Sequence, residues 1–135
     1  YTGKKGRLNI FMSYEIPNEW VNAVNQGDVD RIMKCYDDNA SLLATFAADP
    51  IRTREGIRAY FDGFTAREGA GVRILDGSVV HDSCGNDGYL ATGLYEFFYT
   101  ENGSEIRHPA RFTFMVRVDS SERIQHHHSS LIPSS

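Results

Sequence analysis

Helical periodicity stops near residue 70 of this chain, and everything beyond that point reads as strand. Trp20, Val21 and Val24 form an apolar stripe after Pro17, with Glu19 in the first turn, where the helix dipole favours an acid. Gly27 suits the position just past a helix end, and Asp28 can cap a second helix. That helix carries Val29, Ile32, Met33 and Tyr36 at i, i+3, i+4 and i+7. A short apolar strand is expected over 40–46. Thr53 is placed to cap a third helix with Ile57, Tyr60, Phe61 and Phe64 at the same spacing, ended by Gly69 and Gly71. Strands are then expected over 72–83, 89–100, 105–118 and 123–131. The segments CGNDG, ENGS and DSSE supply their hairpin turns. Helices first and an antiparallel meander afterwards is the α+β pattern.

The strand YLATGLYEFFYT constrains the assembly. Tyr89, Ala91, Gly93, Tyr95, Phe97 and Tyr99 share one face, and Leu90, Thr92, Leu94, Glu96 and Phe98 the other, so neither face is polar. The next strand sets Phe112, Phe114 and Val116 against Arg111, Thr113 and Met115. An antiparallel sheet with one wet face should alternate more cleanly. Three helices can cover one face only, and the economical cover for the other is a second copy of the chain.

Length and charge narrow the class. A chain of 135 residues forms one domain with a real core. A net charge of −4 without a basic cluster argues against a nucleic-acid surface. No apolar run approaches the roughly 18 residues of a membrane span, so a soluble protein is expected. Cys35 and Cys84 make no zinc or CxxC spacing; two reduced thiols, or a disulfide between them, fit the sequence. Residues 1–16 read as an N-terminal extension and 17–133 as the domain. A processed upstream segment and an addition before Met12 both account for the start. The compartment, cytoplasmic or exported after signal-peptide removal, stays open.

In RIQHHHSSL, period-two alternation places His126, His128 and Ser130 with Ile124, and Gln125, His127, Ser129 and Leu131 on the opposite face. The run continues into further strand residues and reads as native structure, not as a purification tag.

The order of elements resembles the nuclear transport factor 2-like cone, three N-terminal helices packed on a curved antiparallel sheet. More closely, the chain resembles the association (hub) domain of calcium/calmodulin-dependent protein kinase II and its stand-alone bacterial relatives. Trp20, GDVDRIMKCYDDNASLLAT, TREGIRAYFDGF, RHPARFTFMVR and RIQHHHSS carry that resemblance. No glycine-rich nucleotide loop, HRD or DFG occurs, so no kinase is present. The resemblance implies a homo-oligomer, a dimer or larger even-numbered assembly, with a pocket in each cone able to hold small carboxylates. Related folds include ketosteroid isomerase-like enzymes, polyketide cyclases and dehydratases.

Within that frame, Arg111 is the first candidate for the ligand. An arginine facing the interior of a cone needs a carboxylate, from a ligand or from Glu96 or Glu105. His126 and His128 on the neighbouring strand are candidate ligand contacts or general bases, and a metal clamp is not expected of them. Trp20, Tyr36 and Tyr60 are expected to look into the cone, with ordinary core packing as the competing reading. Glu96, in an aromatic strand, is the remaining catalytic candidate, against a structural pairing with Arg111 or Arg117. The expectation is therefore a self-assembling protein that holds a small polar or anionic organic ligand, without cofactor. The alternative is a small isomerase, cyclase or dehydratase with a pocket histidine or carboxylate as base.

Overall fold

The computed structural model describes residues 12–134. Helices α1 (Ile16–Asn25), α2 (Val29–Lys34) and α3 (Arg54–Thr65) pack against a sheet of β1 (Tyr36–Leu43), β2 (Gly71–Ile74), β3 (Val80–Ser83), β4 (Gly88–Glu101), β5 (Ser104–Val118) and β6 (Glu122–Leu131). The expected caps are made: Asp28 accepts from Arg31 N–H (3.1 Å) and Thr53 from Gly56 N–H (3.0 Å). The ENGS hairpin places Asn102 and Gly103 at φ +52° and +79°, the pair of left-handed residues that a type I′ turn requires. The expectations for residues 1–11 lie outside the described residues. From Met12 onward the chain packs on the sheet: Met12 is buried, and Tyr14 lies against Tyr89 and His81.

The sheet runs β1-β6-β5-β4-β2, with β3 also on β4. It is mixed and not wholly antiparallel, because β1 lies parallel to β6. No hairpin joins those two strands, so no turn dictates their relative direction. The meander β4-β5-β6 is antiparallel throughout.

Several boundaries differ from the sequence expectation: the strand expected over 40–46 runs Tyr36–Leu43, and the third helix ends at Thr65, short of Gly69. The second helix stops at Lys34, and Tyr36 starts β1. Ile124 N–H takes the Cys35 carbonyl (2.7 Å), and Arg54 donates to the carbonyls of Met33 (3.0 Å) and Tyr36 (3.2 Å). These partners serve the carbonyls that a longer helix would have used internally. Tyr36 is buried either way, so the apolar stripe could not reveal the change. The strand expected over 72–83 is two strands on one edge of β4, parted at Leu94. There Leu94 N–H donates to Ser78 Oγ (3.1 Å) and its carbonyl accepts from Leu75 N–H (3.0 Å). Cys35 is buried and Cys84 exposed, and both are free thiols.

At the free edge of β2, Asn25 acts as a short substitute strand. Its Oδ1 accepts from Val72 N–H (2.8 Å) and its Nδ2 donates to the Val72 carbonyl (2.9 Å). Gly71 beside it has no room for a side chain, since a Cβ would stand 2.4 Å from Phe98 and 2.8 Å from Asn25 Oδ1. Asn25→Ala strips both partners from a fully buried residue. It should lower unfolding stability by about 1–3 kcal/mol, read as a fall in the urea midpoint at unchanged slope.

Candidate functional site

The inner face of β4 carries Tyr89, Ala91, Tyr95, Phe97 and Tyr99, and that of β5 carries Phe112, Phe114 and Val116, all buried. Trp20 from α1 sits against this surface, stacked on Tyr95 (5.6 Å between centroids, 20° between planes) and edge-on to Phe114 (5.5 Å). Burying these rings against the helices is the main apolar gain of the fold.

The face assigned to Arg111 is corrected by this packing. The aromatic row of β5 turns inward, and Arg111 therefore points out, exposed, on the far side of the sheet. It has no ion-pair partner among the described residues. Glu96 also faces outward and pairs with Arg73 (3.2 Å), not with Arg111 or Arg117. Across the hairpin, the alternation of β6 is broken by a bulge. Met115 pairs with His126 but Val116 with Ile124, so Gln125 is the extra residue. One added residue inverts the faces that follow. Ile124, His127 and Ser129 are buried, while His126 and His128 project outward. His126 meets Ser41 on β1 (Nδ1 to Oγ, 2.7 Å), and His128 shares an outer cleft of about 210 Å³ with Arg111, Phe112, Thr113 and Ser130.

Of the proposed ligand contacts, Trp20 and Tyr36 do look inward, and they join a line of polar groups through the core. Trp20 Nε1–H donates to Tyr36 Oη (3.0 Å), which meets His127 Nδ1 (2.8 Å). His127 Nε2 meets Tyr95 Oη (3.0 Å), Tyr95 donates to Ser129 Oγ, and Ser129 meets Thr45. The direction follows from the first member. An indole N–H can only donate, so Tyr36 spends its own proton on His127 Nδ1. The imidazole must then carry its proton on Nε2 and give it to Tyr95, which passes its own to Ser129. With the opposite tautomer Tyr36 would receive two protons and hold a third without an acceptor. Among the described residues no buried side-chain nitrogen or oxygen lacks a partner.

This line of buried groups is electrically neutral. Burial, reinforced by His126 and His128, pushes the His127 imidazole down to about 3. Burial likewise raises the phenols of Tyr36 and Tyr95. The groups hold each other in place and are poor candidates for exchanging protons near neutral pH. Beside them lies a void of about 10 Å³, bounded by Trp20, Thr45, Tyr60, Phe97, His127 and Ser129 among others, enough for one water at most.

Tyr60 forms the wall between that void and a larger cleft of about 200 Å³ at the mouth, lined by Phe46, Tyr60, Gly63, Phe64 and Arg67. Burial pushes its phenol up to about 12, and its oxygen accepts from Phe46 N–H (3.4 Å). The sequence reading missed His127 and Ser129, which lie past the bulge of β6, and gave no polar role to Tyr95 on β4, Thr45 after β1 or Arg67 beyond the end of α3. Among the described residues no group of three or more His, Cys, Asp or Glu side chains is placed to hold a metal ion.

The match of residues 18–127 to the model of the SnoaL-like domain settles the family. The chain belongs to the SnoaL-like family. Its fold is that of the nuclear transport factor 2-like superfamily, α+β with a cystatin-like arrangement. No curated protein matches this SnoaL-like chain. Among solved structures, it is similar to a calcium/calmodulin-dependent protein kinase II association domain assigned in Xanthomonas campestris. That likeness has a TM-score of 0.80 at 26% identity and covers 90% of this chain and 86% of the other. A nuclear transport factor 2-like protein from Streptomyces avermitilis, described as a dehydratase, superposes with a TM-score of 0.78 at 12% identity over 93% and 97% of the two chains. The calcium/calmodulin-dependent protein kinase II hub homology domain of Chlamydomonas reinhardtii gives 0.72 at 16% identity over 89% and 95%. The last two likenesses concern the fold alone. In the SnoaL-like chain no described helix is long and apolar enough to cross a membrane.

Proposed function

We propose that this SnoaL-like protein is an association-domain-like subunit that assembles with copies of itself and holds a small polar or anionic organic ligand in its cone. The observation that carries the assembly is the outer face of β4-β5-β6. The helices occupy the inner face, yet Leu90, Leu94, Phe98, Thr113 and Met115 lie half-buried on the outer one, flanked by Arg111, His126 and His128. An apolar centre with a polar, chargeable border is the usual make-up of a contact surface between subunits. Arg111, His126, His128 and Glu96 belong in this reading to that surface and not to a catalytic pocket. The similarity to the Xanthomonas association domain supports the same reading. For the ligand, the filled interior leaves almost no room, and the cleft of about 200 Å³ beside Tyr60 is the space that adjoins it.

Sedimentation velocity tests the assembly. The protein should run as a dimer or larger even-numbered species. Met115→Glu, which sets a charge in the middle of the outer face, should shift it to monomer with an unchanged far-ultraviolet circular dichroism spectrum. A wild-type monomer, or a Met115→Glu variant that assembles unchanged, would refute the proposed surface.

A further inference from the structure

Arg111 heads a compact group of donors on the outer face of the sheet. It stands opposite Ser130 across the β5-β6 ladder, and the next outward pair is Thr113 with His128. The four side chains therefore occupy the corners of one square on two neighbouring strands, and all four line the outer cleft of about 210 Å³. Leu94, Thr92 and Leu43 flank it as the cross-strand neighbours of Arg111, Thr113 and His128. Arg111 and His128 are exposed, and Thr113 and Ser130 half-buried. None of the four side chains is hydrogen-bonded or ion-paired to another described residue. The other two histidines of β6 are spent, His126 on Ser41 and His127 on Tyr36 and Tyr95.

The square lies in the surface proposed above for assembly, a reading on which its role rests. Covering it with a second subunit takes a guanidinium out of water, which is costly without an anion. A two-fold dimer does not supply one from the facing patch, because both subunits present the same residues. The outward acids of β4 and β5 are already held, Glu96 by Arg73 (3.2 Å), and Glu105 by Arg107 (2.7 Å) and Arg73 (3.6 Å). Asp82, the outward acid of β3, stands two strands away from Arg111. An anion from solution suits these donors. A carboxylate has two oxygens and is satisfied by the in-plane fork of a single arginine. Here two hydroxyls and an imidazole stand beside the fork, and a phosphate group has three terminal oxygens to share among them. We infer that the cleft of Arg111, Thr113, His128 and Ser130 binds a phosphate group, and that its occupation neutralises the face on which copies of the chain assemble.

Isothermal titration calorimetry with inorganic phosphate on the full chain, at fixed ionic strength and neutral pH, should show saturable binding. Acetate should bind about tenfold more weakly or worse. Arg111→Gln should weaken phosphate by about tenfold or more, and Thr113→Val by a smaller factor, both with an unchanged far-ultraviolet circular dichroism spectrum. Arg52→Gln, at an exposed arginine of the loop before α3, should leave binding unaltered. Methyl phosphate distinguishes the source: tighter binding than the free ion assigns the cleft to a phosphate monoester, and equal or weaker binding to inorganic phosphate. A ligand that favours the assembled form must tighten assembly. In sedimentation velocity the dissociation constant of the wild-type assembly should therefore be about fivefold smaller, or less still, in phosphate than in chloride, and Arg111→Gln should remove the difference. Equal affinity for acetate and phosphate, or phosphate binding indifferent to Arg111→Gln, would overturn the inference. So would absence of phosphate binding in a protein that still assembles; loss of assembly on Asp82→Asn would then assign the counter-charge to that acid. A wild-type monomer that binds phosphate through Arg111 would uphold the site and refute the assembly.

Discussion

Unfolding stability should fall steadily as the pH is lowered from about 6.5 towards 4, and replacing His127 by phenylalanine should remove much of that fall. In the folded chain His127 titrates at about 3, against an ordinary 6.5. Between those values the unfolded chain binds a proton that the folded chain refuses. The contribution of His127 is therefore complete above pH 6.5 and is lost as the pH drops towards 3, at roughly 1.4 kcal/mol per pH unit once the unfolded imidazole is fully protonated. The facing groups do not reverse the sign. Tyr36 and Tyr95 remain neutral across the window, and His126, itself lowered by burial and by His128, adds a smaller change in the same direction. His127→Phe removes the titration but leaves the Tyr36 hydroxyl without an acceptor and Tyr95 without a donor. At pH 7 the variant should be weaker by about 2–5 kcal/mol, the sum of two orphaned buried groups. The two stability curves, taken from urea midpoints at half-unit intervals, should converge on acidification. Parallel curves would mean that His127 is not held neutral by its surroundings.

How that residue escaped the sequence is instructive. Period-two alternation sorts residues into two faces, but it does not say which face is inner, and it survives only while the ladder is regular. On β4 and β5 the sorting was right. The inner face of β5 could have been chosen by giving the helices the row with two phenylalanines and leaving the row with an arginine to solvent. On β6 the sorting itself failed, because the bulge at Gln125 carries no signature in RIQHHHSS. Both candidate faces of that strand contained histidine and serine, so burial could not arbitrate. Tyr36 illustrates a second limit. A residue at i+7 of a helical stripe and the first residue of a strand can bury the same side chain, and only the hydrogen bonds to Arg54 and β6 separate the two. The fold was legible because it depends on the order of long, strongly patterned segments. The site was less so, because it depends on single-residue register.

The filled core changes where a ligand has to be sought. A cone with polar groups spaced around an open pocket would place recognition on the central residues of the sheet. Here those positions are Tyr95, His127 and Ser129, and they satisfy one another. A ligand entering among them would have to break bonds that are already made in a medium of low dielectric, which is costly. At the rim, by contrast, Arg67 has donors to spare. Selection for binding at the mouth and selection for a rigid interior are thus compatible in this chain.

The rigidity of that interior rests most heavily on Trp20, and Trp20→Ala should be the most damaging single substitution in the core, at about 3–5 kcal/mol. The residue is fully buried, and its ring touches Phe61, Tyr95, Phe97, Phe114 and His127, drawn from α3, β4, β5 and β6. Truncation therefore opens a cavity where four elements meet and where closely packed rings can collapse only in part. Trp20→Phe separates volume from hydrogen bonding. It keeps much of the ring but removes the indole donor that gives the polar chain its direction, so it should cost less than the alanine variant, about 1–3 kcal/mol. Trp20 is the sole tryptophan of the chain, so circular dichroism and not intrinsic tryptophan fluorescence has to follow unfolding in both variants. A phenylalanine variant as weak as the alanine one would assign the loss to the indole N–H and the chain it anchors. An alanine variant close to wild type would show that α1 is not pinned to the sheet by this ring, and the packing account of the cone would fail with it.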